Sequence, residues 1–123
     1  MSPSLNRNKI PQVAVIGCGE WGRNLVRNFH DLNALRAVCE LDEKKTHHLK
    51  KLYPETDFFS SYDSLLEDPG IDAIVIATPA ETHASLVKRA FLAGKDVFVE
   101  KPLCLSVREG EELVALAKNR ILM

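Results

Sequence analysis

The sequence predicts an α/β fold in which a doubly wound, all-parallel sheet is covered by helices on both faces, giving three layers, α/β/α. Three observations predict it. Short apolar runs recur at residues 12–17, 35–40, 72–78 and 96–100, and helical spacing or helix-start signals follow each of them. The runs are nearly continuous rather than alternating, the pattern of strands buried on both faces. The residues with unusual chemistry fall where those runs stop, and parallel sheets bind ligands beyond the carboxyl ends of their strands.

QVAVIG (12–17) ends in glycine and reads as the first strand. Trp21, Leu25, Phe29 and Leu32 then share one helical face. LRAVCE (35–40) is the second strand, and Asp42 caps a polar helix running to about Tyr53, where Pro54 ends it. DFFSS (57–61) reads as a short third strand, and SLLED as a helical turn closed by Asp68-Pro69-Gly70. DAIVIAT (72–78) is the most strand-like run of all. Thr78 then reads as a helix cap, with Pro79 at the first helical position and Glu81 completing the start signal. That helix stops at Gly94. DVFVE (96–100) is the next strand, and Ser106 with Glu109 forms a capping box that opens a helix to about Asn119. NRILM (119–123) reads as the start of a sixth strand. Residues 1–11 are polar and read as a flexible lead-in to one domain over 12–123.

Composition narrows the function classes. The chain of 123 residues suffices for one core, and its formal net charge of −1 supplies no global field for nucleic acid or an anionic membrane. No apolar run approaches the roughly 18 residues of a membrane span, and the N-terminus lacks the apolar segment of a secretory signal. Cys18, Cys39 and Cys104 are odd in number and never in a C-x-x-C pair, which argues against a disulfide framework and against a metal site and favours the cytoplasm.

GCGEWG matches G-x-G-x-x-G between a strand and a helix. Gly17 would make the tight turn, Gly19 would admit a pyrophosphate, and Gly22 would let helix and strand pack closely. The helix N-terminus, with Glu20 and Trp21 in its first turn, offers unpaired N–H groups to phosphates. Trp21 either covers the pyrophosphate or packs as core. Glu40 ends the second strand near the spacing expected of an acid that accepts both ribose hydroxyls and repels a 2′-phosphate. These features predict dinucleotide binding, with NAD preferred; Arg36, Lys44 and Lys45 lie near enough in sequence to keep NADP possible. A methyltransferase loop usually runs G-x-G-x-G, and that class leaves Glu100-Lys101-Pro102 unexplained.

VAVIGCGEWG, IATPAETH and VFVEKPLCLS, in this order and over nearly the whole chain, resemble the Gfo/Idh/MocA oxidoreductase family. EWGRNLVRNF and ATPAETH are similar to its subgroup of UDP-N-acetyl-glucosaminuronate 3-dehydrogenase-like members. The resemblance implies a Rossmann domain carrying NAD(P), with Glu-Lys-Pro after the fifth strand. It implies that Lys101 acts on the substrate hydroxyl, that Glu100 positions the cofactor ribose or balances charge, and that Thr78 and Pro79 line the cofactor pocket. His83 either faces that pocket or packs its helix. The implied substrate is a sugar, or a nucleotide sugar, oxidised by hydride transfer. Family members continue into a second, substrate-binding domain. Ending at NRILM, this chain is expected to be truncated in its sixth strand and to lack that domain, which leaves two readings: an oxidoreductase domain, or a stand-alone dinucleotide-binding module without turnover. An open edge at Ile121–Met123 further suggests self-association, unless the helix from Ser106 covers it.

Overall fold

A computed structural model describes residues 10–123; residues 1–9 of the expected lead-in lie outside them. Strands β1 (Val13–Ile16), β2 (Leu35–Cys39), β3 (Asp57–Phe59), β4 (Ala73–Ile76) and β5 (Asp96–Val99) form one parallel sheet in the order β3-β2-β1-β4-β5. Helices α1 (Glu20–Asp31), α2 (Glu43–Leu52), α3 (Tyr62–Leu66), α4 (His83–Leu92) and α5 (Val107–Ala117) connect and follow them.

The period of two along β1 divides the core. Val13 and Val15 join Leu25 and Val26 of α1 and Leu49 of α2 on one face of the sheet. Ala14 and Ile16 join Leu65 of α3, Val87 of α4 and Leu113 of α5 on the other. Each fully buried Val or Leu contributes about 1.5–3 kcal/mol relative to an exposed one, so both helical layers are held by the same strand. Because Ile16 pairs with Cys39 on one side and Ile76 on the other, the chain leaves β1, β2 and β4 at one level. The strand order reverses at β1, and a crevice opens there. Residues 121–123 lie beside β5: Leu122 forms a parallel bridge with Val97, and Met123 N donates to Val97 O at 2.9 Å.

Several local expectations change. On α1 the buried stripe is Gly22, Leu25 and Val26, with Phe29 half-buried; Trp21 and Leu32 are 57% and 63% exposed. Gly22 has no side chain to hold the helix off the first turn, so that edge of α1 packs inward and Trp21 rotates toward the crevice. The third strand stops at Phe59, because Ser61 is the cap of α3 and accepts from Ser64 N at 3.2 Å. After β4 the chain makes a 3₁₀ turn, Ala80–Thr82, before α4 starts at His83. The Thr78 hydroxyl bonds Thr82 Oγ1 at 2.6 Å rather than a helical N–H. Asp42 and Ser106 cap α2 and α5 as the sequence predicts, accepting from Lys44 N and Glu109 N.

The edge of the sheet opposite the crevice carries its own polar lock. Asp68 accepts from Arg36 Nε at 3.0 Å and from Gly70 N at 2.8 Å, while buried Lys95 donates to the carbonyls of Asp68 and Ile71. The Arg36 hydrogen bond, then that of Gly70, holds the Asp68 carboxyl below its ordinary 3.8. A carboxyl that is more acidic in the folded state stabilises fully above its unfolded pKa and loses that contribution as pH falls through the folded one. Wild type is therefore expected to lose stability relative to Asp68→Asn as pH falls below about 3.8. Parallel denaturant melts check this, and a pH-independent difference between the two proteins refutes it.

Candidate functional site: a dinucleotide crevice at the strand exits

Three glycines shape the turn between β1 and α1, each for a different reason. Gly17 has φ +95°, and a Cβ there would sit 2.8 Å from Ala77 O. A Cβ on Gly22 would sit 2.0 Å from Gly17 O, so helix and turn touch backbone to backbone. A Cβ on Gly19 would meet nothing within 4 Å, because that position faces the open crevice. The first helical bond of α1 is Arg23 N to Gly19 O, at 2.9 Å. The amides of Glu20, Trp21 and Gly22 precede it and have no acceptor within the helix, at its positive end.

Glu40 stands across the crevice, held by two backbone amides. Its Oε1 accepts from Cys18 N at 2.8 Å and its Oε2 from Asp42 N at 3.1 Å. The carboxylate is thereby fixed in direction, and each oxygen keeps a further lone pair. Between Glu40 and the exit of β4 lies a cleft of about 690 Å³. Gly17, Gly19, Glu20, Trp21, Glu40, Thr78 and Pro79 all line it, as do Leu41, Tyr62 and Arg89. On the outer side of the glycine turn a shallower basin holds Arg23, Lys44, Lys45 and His48. Arg36 is not among these cations. It sits early in β2, at the far edge of the sheet, and is committed to Asp68.

The remaining residues singled out in the sequence lie off the cleft wall. Gly22 packs beneath Gly17. Glu100 donates its N–H to Ile76 O at 3.1 Å just past β5, and its carboxylate accepts from Trp21 Nε1, joining the glycine turn to the Glu-Lys-Pro turn. Lys101 is exposed at that same edge of the sheet, and the Lys101–Pro102 peptide is cis. His83 is 2% exposed behind Thr78-Pro79, with both ring nitrogens on backbone carbonyls. The thiol of Cys18, inside the motif, is buried; burial first, then the Glu40 charge, pushes its pKa up to about 12, so it stays protonated at neutral pH. Among the described residues no group of three or more His, Cys, Asp or Glu is placed to hold a metal, and no helix is long and apolar enough to cross a membrane.

Sequence reasoning missed the apolar end of the cleft. Tyr62 comes from α3 and Arg89 from α4; the Tyr62 hydroxyl donates to Leu86 O at 2.7 Å and the Arg89 guanidinium lies 4.8 Å from its ring. Neither carries a local signal, because only the folding of two helices onto one sheet face brings them together. Leu41 did carry one: an apolar residue directly after the strand-ending acid.

A glycine turn open at Gly19, unpaired helix-start amides and a fixed acid at the end of β2 suit a dinucleotide: phosphates at the amides, ribose hydroxyls at Glu40, a base against Leu41 and Tyr62. The fold and crevice together define a Rossmann dinucleotide-binding domain. The model of the Gfo/Idh/MocA family, described as an oxidoreductase family with an NAD-binding Rossmann fold, matches residues 12–123, and the chain belongs to that family. It is 53% identical over 102 residues to scyllo-inositol 2-dehydrogenase (NAD(+)) of Bacillus subtilis, an alignment covering 80% of this chain and 30% of that protein. Among solved structures it is similar to GenD2 from gentamicin A biosynthesis in complex with NAD, at 30% identity and TM-score 0.84, covering 91% of this chain and 33% of that one. It is also similar to a variant of the 3-ketoreductase KijD10 from Actinomadura kijaniata in complex with TDP-benzene and NADP, at 27% identity and TM-score 0.83, covering 92% and 36%. The chain thus spans about a third of the length of these relatives.

Proposed function

We propose that the chain is the cofactor domain of an NAD-dependent oxidoreductase that oxidises a sugar hydroxyl, with a nucleotide sugar as substrate, in the cytoplasm. The observation that carries this reading is the Glu-Lys-Pro turn. It leaves β5 at the carboxyl ends of the strands, the same end as the glycine turn, and is joined to it by the bond from Trp21 to Glu100. NAD, when bound, supplies the hydride acceptor. The residues of this chain then do the rest: the amides of α1 and Glu40 orient the dinucleotide, and the Lys101 ammonium donates a hydrogen bond to the reacting oxygen and stabilises the alkoxide that forms as the hydroxyl proton passes to water. The TDP ligand of KijD10 supports a nucleotide sugar, whereas the inositol dehydrogenase supports a free cyclitol. Reduction of NAD by any longer form of this protein is therefore assayed with UDP- and TDP-sugars beside scyllo-inositol. Turnover with the cyclitol alone refutes the nucleotide-sugar reading. The three free thiols support a reducing compartment.

The alternative, a binding module without turnover, is favoured by the exposure of Lys101, since none of the described residues desolvates its ammonium. Cofactor binding without NAD reduction on any of these substrates is the result that selects it.

Glu40 sets the cofactor preference in this reading. NAD(H) is expected to bind more tightly than NADP(H), because a 2′-phosphate would meet the fixed carboxylate. Lys44, Lys45 and Arg23 temper that repulsion without removing it. Glu40→Ala is expected to narrow the gap by about 1.5–3 kcal/mol, the worth of a charged acceptor. Calorimetric titration with both cofactors checks this, and equal or reversed wild-type affinities refute it.

Self-association belongs to the same proposal. Leu105, Val107 and Val114 on and before α5, with Ile121 and Met123 at the outer edge of the sheet, are exposed apolar side chains. Light scattering across a concentration series is expected to give masses above the monomer; a monomer throughout refutes it.

A further inference from the structure

His83 is buried and lines no part of the cleft, yet it touches both strand exits that flank the Glu-Lys-Pro turn. Its Nε2 lies 2.8 Å from Thr78 O, past the end of β4, and its Nδ1 lies 2.6 Å from Pro102 O, past the end of β5. The ring rides on the first residue of α4, a helix anchored in the core through Val87, Ala90 and Phe91. We propose that His83 is a positioning residue for Lys101: through its hydrogen bond to the Pro102 carbonyl it fixes the main chain that carries the lysine.

The geometry around Lys101 supports this. The lysine side chain is exposed, so its placement depends on the backbone on either side of it. On the N-terminal side Glu100 N is bonded to Ile76 O at 3.1 Å. On the C-terminal side the tie is His83, and the ring of Pro102 fixes that residue's φ, so holding its carbonyl holds the turn. Lys101 is bracketed by one bond to β4 and one to α4. A doubly protonated imidazole donates to both carbonyls and a neutral one to a single carbonyl; in either case the proposal requires a proton on Nδ1. His83 reaches no reacting atom itself. It acts on the chemistry only through where Lys101 stands, and in that respect the inference rests on the role proposed for Lys101.

Two substitutions separate the two contacts. Asn at position 83 places an amide donor where Nδ1 stands, and Gln reaches the position of Nε2. Backbone ¹⁵N relaxation of the 123-residue chain is measured first, since it needs neither cofactor nor turnover. His83→Asn is expected to leave Lys101 as rigid as in wild type. His83→Gln is expected to lower the Lys101 order parameter from about 0.85 toward 0.6, with the α4 amides unchanged. In turnover assays of any longer form of this protein His83→Gln should lower kcat on the order of 10- to 100-fold with KM for NAD within a few-fold, and His83→Asn should recover most of the loss. A rigid Lys101 in His83→Gln, or losses in both variants that track their melting temperatures, overturns the proposal. If either variant fails to fold, the ¹⁵N spectrum of the wild-type ring decides: a proton on Nδ1 is the expected result, and a bare Nδ1 overturns it. Full turnover of Lys101→Ala would overturn the catalytic role of the lysine instead, leaving the relaxation result to judge the tie alone.

Discussion

In any longer form of this protein, Lys101→Ala is expected to lower kcat by about 10²–10⁴-fold, the usual worth of a positioned proton donor or acceptor, while NAD affinity stays within a few-fold. The separation follows from where the lysine stands. The groups proposed to hold the dinucleotide are the helix-start amides, Glu40, and the cleft walls at Leu41, Thr78 and Pro79. Lys101 is outside that set, one residue past the strand-ending Glu100, and it is exposed. In the proposed role, removing it takes a donor from the reacting oxygen and leaves the cofactor cradle intact. Steady-state kinetics and NAD titration of the same preparation check both halves. Undiminished kcat refutes the role, and a large loss of NAD affinity places the lysine in the cofactor site instead.

Substitutions at Gly22 and Gly19 are expected to part stability from binding. In Gly22→Ala the new methyl would stand 2.0 Å from Gly17 O, against backbone that cannot rotate away. Alanine ordinarily gains about 1 kcal/mol over glycine in a helix. Overpacking of this kind costs about 1–3 kcal/mol or more and outweighs that gain. Because relief requires α1 to back away from the turn, NAD binding falls with stability. In Gly19→Ala the backbone, at φ −68° and ψ −169°, is one that alanine adopts freely, and its methyl meets no protein atom. Stability should change by no more than about 1 kcal/mol, while NAD affinity falls at least about tenfold, because the methyl stands where a pyrophosphate approaches. Thermal melts with and without NAD separate the two variants. An unchanged melting temperature in Gly22→Ala, or unchanged NAD affinity in Gly19→Ala, refutes the respective assignment.

The order of elements, the parallel sheet, the capping residues Asp42 and Ser106 and the crevice-lining residues at strand exits were legible in the sequence. Each rests on a short-range rule: an apolar run, a cap, a glycine that no side chain can replace. Two-sided burial of the strands made the class of sheet plain, and in such a sheet the functional residues must follow the strand ends. Glu40 was singled out by its place at the strand end and its spacing from the glycine motif, and it is held by amides from two separate segments.

What the tertiary structure decided is which neighbours each segment meets. The Trp21-Leu25-Phe29-Leu32 spacing is a valid helical face, but contact between Gly22 and Gly17 turned α1 so that Gly22, Leu25 and Val26 face inward and the tryptophan reaches Glu100. Arg36 is close to Glu40 in sequence, yet the length of β2 carries it toward the opposite edge of the sheet, where Asp68 takes it. Of the two readings of His83, facing the pocket or packing its helix, burial fits the second: the ring sits between the carbonyls of Thr78 and Pro102 and lines no part of the cleft. Tyr62 and Arg89 were invisible because they meet across helices. Periodicity and capping act over a few residues and can be read along the chain. The partners of Trp21, Arg36 and Tyr62, and the Pro102 partner of His83, lie between 19 and 79 residues away, and only packing of the helices on the sheet selects them.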